Sequence, residues 1–318
     1  MSSNLSSLAA AIPFFHLDPI EIGPLPLQPF GILVATGVLL GAWLARRYGA
    51  RIGLDDDELR GLSAWVLVGG FAGAHIFDVL AYQWDKIPSD PWLIIKVWAG
   101  ISSYGGFLGG TIAYYIYCRR RGLALDAYGD AMIYGLMPAF SIGRIGCTIV
   151  HDHVGQATDF ALGVDYPKAF AAQHGYSEAT RMHNLGLYEL MYLIPLCLVL
   201  FWVVRKPRPR GLVIVLACTM YAPVRFFLDF LRFDESDPRY LALTFAQWMS
   251  ILVTAAGGYG LLKVARKPAP PFPSPADGGD EGRAGAVGKG EDEDGGKAKG
   301  GSVGRAGAKR GKRAGGKR

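Results

Sequence analysis

Long apolar stretches alternate with short polar segments along most of the chain. A helix needs about 20 mainly apolar residues to cross a bilayer. Stretches close to that length occupy residues 30–47, 62–83, 101–118, 127–146, 187–204, 211–231 and 242–263. The pattern therefore predicts an all-α integral membrane protein with about seven transmembrane helices.

The basic residues of the polar segments predict how these helices are oriented. Arginine and lysine concentrate in alternate loops, at 46–60, 119–121, 205–210 and 263–267. Cytoplasmic loops carry an excess of lysine and arginine. We therefore expect a periplasmic N-terminus and a cytoplasmic C-terminus. Residues 147–186 then lie outside, as a small, irregular periplasmic cap.

Composition separates the last part of the chain from the rest. Of the 318 residues, 51% are hydrophobic and 19% are charged, whereas soluble domains carry about 25% charged residues. Residues 268–318 are rich in glycine, lysine and arginine and cannot form a core. We therefore predict a membrane-embedded domain over residues 1–267 and a disordered cytoplasmic tail over 268–318. The basic tail favours contact with membrane lipids over its alternative, nucleic-acid binding.

Two arginines interrupt the apolar stretches and indicate an anion site. Arg144 ends the fourth stretch, where a charge costs about 2.5–3.5 kcal/mol to insert. Arg225 shares a helix face with Tyr221 and Asp229, which lie four residues to either side. Arg225 and Asp229 can pair within the helix. The alternative is that Arg144 and Arg225 together clamp one phosphate, the anion that lipids supply at this depth.

The segment after Arg144 holds His151, Asp152 and His153. Alternating ligands of this kind suggest a metal, but two histidines and one carboxylate rarely suffice without a further ligand. The chain also lacks the phosphate-binding loop, the dinucleotide fingerprint and the serine-hydrolase motif. We therefore expect no metal and no other cofactor.

The order and spacing of these motifs resemble those of the prolipoprotein diacylglyceryl transferases, which are integral enzymes of the bacterial inner membrane. The likeness covers about residues 25–263. In place of the family's usual histidine, asparagine and glutamate stand Tyr104, Cys147 and Asp152. The matching elements are Ser103–Gly106, Gly143–Gly146 with Asp152 and Gly155, His183 with Leu187, Tyr188 and Glu189, Tyr221 with Arg225, Asp229 and Arg232, and Gln247 with Ser250.

The resemblance implies a reaction and its partners. The diacylglyceryl group of phosphatidylglycerol moves to the lipobox cysteine of a prolipoprotein signal peptide, and glycerol phosphate leaves. The alternative is a phospholipid-binding relative that is non-catalytic or uses another substrate, because Tyr104 replaces the histidine often proposed as base.

The resemblance also implies residue roles. Arg144 and Arg225 hold the phosphate, while Asp152 and Asp229 orient them. Tyr104 donates a hydrogen bond to the leaving oxygen. Two additional histidines, His151 and His153, lie close to Arg144 in a chain that lacks the usual one, and our hypothesis is that one of them takes the thiol proton. The remaining substrate-binding residues are Gly155, Tyr188, Glu189 and Tyr221.

Overall fold

The structure is a computed structural model that describes residues 12–15, 17–22, 25–96, 100–173, 181–233 and 239–273. Long helices dominate the described residues, as predicted for an integral membrane protein. A short helix, α5, spans Lys168–Gln173. The long helices are α1 (Pro29–Arg51), α2 (Asp56–Tyr82), α3 (Ser103–Arg121), α4 (Leu125–Val150), α6 (Leu185–Val203), α7 (Leu212–Leu228) and α8 (Phe245–Val264).

Six of these helices are long and apolar enough to span a membrane within the described part of the chain. The exception is α3, because glycines and hydroxyl groups fill its first half and Arg119–Arg121 end it. Only its lower hydropathy separates α3 from the other six. The count of seven spans and the orientation of the chain remain predictions.

Helix pairs pack closely where glycines face each other. A Cβ atom on Gly73 of α2 would lie 2.5 Å from the carbonyl oxygen of Gly105 in α3. Helices α2 and α3 therefore pack backbone against backbone here, at a distance that a residue larger than glycine would not allow. The pairs α1–α4 and α7–α8 also make extensive contact.

A buried carboxylate fixes the start of α7. Gly211, the residue before α7, has a positive φ of 88° and no side chain that could cap the helix. Asp130 of α4 accepts hydrogen bonds from the backbone nitrogens of Gly211 at 2.7 Å and Ile214 at 3.0 Å. It satisfies donors that a helix start otherwise leaves unpaired. The contact locks α4, which carries Arg144, to α7, which carries Arg225.

The predicted cap contains a small sheet, which differs from the irregular segment expected over residues 147–186. Helix α4 continues to Val150, and α6 begins at Leu185. Strand β1 comes from before α1, so the N-terminal segment joins the cap. The sheet order is β1-β5-β6-β4, with β1 at Ile12–Pro13, β4 at Val154–Ala157, β5 at Val164–Asp165 and β6 at Arg181–Asn184.

Aromatic and aliphatic side chains form the core of the cap. Tyr166 and Met182 are fully buried there, together with Val164 and Ala171. Two hairpins lie elsewhere: β2 (Ile20–Ile22) pairs with β3 (Leu25–Leu27), and β7 (Arg239–Tyr240) pairs with β8 (Leu243–Thr244). Of the predicted tail, residues 274–318 lie outside the described residues, so its disorder remains a prediction.

Candidate active site

Arg144 is buried near the end of α4 and is held from several directions. Its Nε lies 2.8 Å from Oε2 of Glu189 in α6. Its Nη1 donates to Sγ of Cys147 at 3.4 Å and to Nε2 of His153 at 3.3 Å. The guanidinium also lies over the Phe140 ring, 4.7 Å from the centroid. Ionic and cation–π contacts thus offset the cost of burying this charge.

Glu189 is the carboxylate that pairs with Arg144. The contact between Arg144 Nε and Glu189 Oε2 is short, but its geometry is that of an ion pair and not of an aligned hydrogen bond. The second carboxylate oxygen accepts a hydrogen bond from the Tyr221 hydroxyl of α7. The expectation that Asp152 orients Arg144 is corrected: Asp152 pairs with His153 instead.

The contacts of Glu189 also relate the two arginines to each other. Tyr221 lies one turn before Arg225 on α7, on the same helix face. Glu189 therefore connects Arg144 to the part of α7 that carries Arg225.

Arg225 and Asp229 form the second part of the site. Arg225 Nη1 donates to Oδ1 of Asp229 at 2.9 Å, so the pair expected within this helix is present. Its Nη2 donates to the Tyr104 hydroxyl at 3.4 Å, which brings α3 to the site. Asp229 is fully buried, lies 3.7 Å from Nη1 of Arg232 and accepts from the Thr244 hydroxyl. It thereby ties α7 to the start of α8.

Asp152 and His153 form a carboxylate–imidazole pair beside Arg144. His153 Nδ1 lies 2.5 Å from Oδ1 of Asp152, and Nε2 faces the guanidinium. Ligand atoms of Cys147, Asp152 and His153 lie within 4.8 Å of one another. A metal ion there would compete with Arg144 for the lone pairs of Cys147 and His153. The donor set therefore fits a guanidinium better than a metal.

His151 packs against and hydrogen-bonds to residues of the cap. Its Nε2 donates to the Phe15 carbonyl at 2.8 Å, and its ring stacks on Phe14 at 4.5 Å. Its Nδ1 lies 3.2 Å from both Tyr166 Oη and Asn184 Nδ2. Both ring nitrogens are therefore engaged with cap groups, and the structure does not bring His151 to Arg144. A positive φ of 55° at this residue turns the chain away from α4.

Gly155 and Tyr188 lie where the cap meets the helices. A Cβ atom on Gly155 would clash with the Leu231 carbonyl oxygen and lie 3.0 Å from Cβ of His183. Tyr188 donates to the Leu162 carbonyl at 3.2 Å, so His183 Nδ1 must donate to the Tyr188 oxygen, at 2.9 Å. Burial lowers the pKa of His183 from its ordinary value. Gly155 therefore lies in the cap, and Tyr188 of α6 directs its hydroxyl to cap residues rather than to Arg144 or Arg225.

An aromatic pocket lies beside the second arginine. It encloses about 120 Å³ and is lined by Phe77, Tyr82, Tyr104, Thr244 and Phe245, among others. Tyr104 and Thr244 belong to both the pocket and the hydrogen-bond network around Arg225 and Asp229. An apolar cavity therefore adjoins the cationic groups, an arrangement that suits a ligand with a charged head and an apolar body.

Sequence reasoning named both arginines, Asp229, Tyr221 and Glu189, but it missed one pairing and one contact. It did not assign Glu189 to Arg144, although a buried arginine requires a carboxylate or phosphate. It also missed Phe140, whose spacing of four from Arg144 on α4 is the signal for contact.

Comparison with known proteins gives a consistent result. The family profile "Prolipoprotein diacylglyceryl transferase" matches residues 19–263. The chain is similar to proteins named phosphatidylglycerol–prolipoprotein diacylglyceryl transferase from three bacteria. For Synechococcus elongatus the identity is 30% over 250 residues, covering 76% of this chain and 85% of that protein. For Chromohalobacter salexigens it is 30% over 249 residues, covering 76% and 90%. For Staphylococcus aureus it is 32% over 228 residues, covering 70% and 81%.

Proposed function

The chain belongs to the prolipoprotein diacylglyceryl transferase family, and we propose that it transfers the diacylglyceryl group of phosphatidylglycerol to a cysteine thiol of a prolipoprotein. The thiol sulfur bonds to the glycerol carbon next to the phosphate, and the bond from that carbon to the phosphate oxygen breaks. Glycerol phosphate leaves with the electron pair. The thiol proton passes to a base and then to water or to the leaving phosphate.

The observation that carries this proposal is a pair of arginines on neighbouring helices, of which Arg144 is buried and Arg225 is mostly buried. Arg144 and Arg225 both adjoin the Glu189–Tyr221 contact. Negative charge accumulates on the departing phosphate, and guanidinium donors in a water-poor site stabilise it. In our proposal Arg144 and Arg225 bind the phosphate, Glu189 and Asp229 orient them, and Tyr221 fixes Glu189.

The neighbouring groups support a lipid substrate. The pocket beside Tyr104 offers an apolar wall for the diacylglyceryl part. The Tyr104 hydroxyl accepts from Arg225, and we propose that it hydrogen-bonds to the leaving oxygen. Gly155 and Tyr188 act by holding the cap in place. We further propose that the acceptor is the lipobox cysteine of a signal peptide and that the chain resides in the bacterial inner membrane.

The test is a transfer assay with the purified full-length chain in detergent. Phosphatidylglycerol vesicles and a synthetic lipobox peptide supply the two substrates. We expect a peptide whose mass has increased by one diacylglyceryl group, with release of glycerol phosphate. Two controls, a serine-for-cysteine peptide and vesicles of phosphatidylethanolamine alone, are expected to give no product.

The same assay distinguishes the alternative function. Retention of phosphatidylglycerol without modified peptide would contradict transfer and identify a lipid-binding relative.

A further inference from the structure

We infer that His153, oriented by Asp152, is the base that takes the thiol proton in this chain. The inference rests on the proposed function and names a base where the family's usual histidine is replaced by Tyr104. The proton moves from the peptide sulfur to Nε2 of His153, while the sulfur electron pair forms the new bond to carbon. The imidazolium then returns the proton to water or to the leaving glycerol phosphate.

The Asp152–His153 contact determines which ring nitrogen is the base. Oδ1 of Asp152 lies 2.5 Å from Nδ1 of His153. An ionised carboxylate only accepts hydrogen bonds, so Nδ1 carries the proton. Nε2 then holds a lone pair, which accepts from Arg144 Nη1 at 3.3 Å. The basic atom therefore faces the group proposed to bind the phosphate.

A thiol sulfur of the protein itself, Sγ of Cys147, lies at the same corner of the site as His153 Nε2. Arg144 Nη1 donates to Sγ of Cys147 as well as to His153 Nε2. A substrate thiol must lie beside both the base and the carbon that bears the phosphate. Cys147 is unsuited to carry the lipid itself, because a thioether is not a leaving group and transfer would stop there.

Other groups near the site are already engaged in different roles. His151 uses both ring nitrogens on Phe15, Tyr166 and Asn184 of the cap. Tyr104 accepts from Arg225, and phenol is a poor base at neutral pH. Because His153 combines an orienting carboxylate with a lone pair at Arg144, it is the group best placed for the step.

Substrate binding frees the base. The Arg144 bond to His153 measures 3.3 Å, longer than the roughly 2.7–2.9 Å of a charge-assisted bond to an anion, and the 3.4 Å bond to Cys147 goes to sulfur, a weak acceptor. A phosphate is a stronger acceptor than either group and draws Nη1 towards itself. Nε2 then becomes available to the thiol. The charged and titratable groups that bear on His153 are Asp152, Arg144 and Cys147, with Glu189 acting through Arg144.

The experiment compares His153→Ala with the wild-type chain in the transfer assay. General-base catalysis contributes roughly 100-fold or more, so we expect kcat to fall by about that factor. KM for phosphatidylglycerol is expected to stay within about twofold, because the arginines remain. Because a general base must be unprotonated to act, we expect the wild-type rate to have an acid limb that the variant loses. A variant with the wild-type kcat and pH profile would overturn the inference.

Two further variants keep the test decisive. Asp152→Asn retains an acceptor for Nδ1 but removes the charge, so kcat is expected to fall by a smaller factor. His151→Asn is the matched control, because His151 contacts the cap and not Arg144. We expect this variant to lower the melting temperature of the protein while the acid limb of the rate persists. Loss of the acid limb in His151→Asn and not in His153→Ala would assign the base to His151.

The result separates this inference from the proposed function. A wild-type chain without transfer activity contradicts the function itself. An active wild-type chain with an equally active His153→Ala variant contradicts only the base.

Discussion

Single side chains determine the electrostatics of the site, and Arg144 is the clearest case. A buried guanidinium is tolerated only when a carboxylate and further acceptors surround it. Glu189 supplies the charge, and Cys147, His153 and Phe140 supply the other contacts. None of these contacts is an aligned, short hydrogen bond to an anion. Arg144 is therefore held in place while retaining the capacity to bind a better acceptor.

Removing the charge of Glu189 is expected to destabilise the protein. In Glu189→Gln the acceptor for Tyr221 remains, but Arg144 loses its buried counter-charge. Breaking a buried pair costs about 3–5 kcal/mol. We expect a lower melting temperature in detergent and a loss of transfer activity. The control is Asp165→Asn, which breaks the partly exposed 2.8 Å pair with Arg181 and is expected to cost less than about 1 kcal/mol. Equal stability losses in the two variants would contradict this account of Arg144.

The lowered pKa of His183 predicts that the protein is less stable in acid. Burial favours the neutral ring in the folded state, so the unfolded chain takes up the proton first as the pH falls below the ordinary value of 6.5. Stability therefore decreases with acidification through that range. We expect the melting temperature to fall between about pH 7.5 and about pH 5.5.

His183→Asn is the control for this effect. Its amide can still donate to Tyr188 but does not titrate, so the pH dependence is expected to shrink. An unchanged pH dependence in this variant would assign the effect to another group.

At the scale of elements, a few contacts join the cap and the helices into one site. Asp130 holds the start of α7 against α4. Asn184 caps α6 through Leu187 and donates to the Thr148 carbonyl of α4. Gly155 of β4 pairs with Arg232, which lies in the segment just after α7. The relative positions of Arg144 in α4 and Arg225 in α7 therefore depend on these contacts.

Gly155→Ala tests the junction between cap and helices. The added Cβ would clash with the Leu231 carbonyl, which is backbone and cannot rotate away. Overpacking of this kind costs about 1–3 kcal/mol. We expect a lower melting temperature and reduced transfer. Gly143→Ala is the matched control, because a Cβ there meets nothing within 4 Å, and it should be tolerated. A fully stable Gly155→Ala variant would contradict the close contact.

The elements differed in how far the sequence could predict them. Long apolar helices were predicted because their signal extends over about 20 residues. The strands of the cap, such as β1 with two residues and β4 with four, are too short to show an alternating pattern. The partner of Arg144 was also missed. Asp152 is nearer in sequence, but the chain turns at His151, and Glu189 reaches the guanidinium from α6.

The whole molecule is a multi-pass membrane protein in which Arg144 and Arg225, the two arginines of the site, lie at the cap end of their helices. The glycine-rich α3 contributes Tyr104 to the network of Arg225 and is also the helix least suited to lipid by its composition. The contact of Tyr104 with Arg225 therefore explains in part why α3 is less apolar than the other long helices.

The most direct test of the central claim is complementation of bacteria depleted of their own diacylglyceryl transferase. The strain receives either this chain or its Arg144→Ala variant, and immunoblots of the membrane fraction confirm equal insertion. We predict growth and lipid-modified lipoproteins with the native chain and neither with the variant. Growth supported by the variant at equal membrane levels would contradict the phosphate role of Arg144. An inserted native chain that fails to support growth would contradict the proposed transfer.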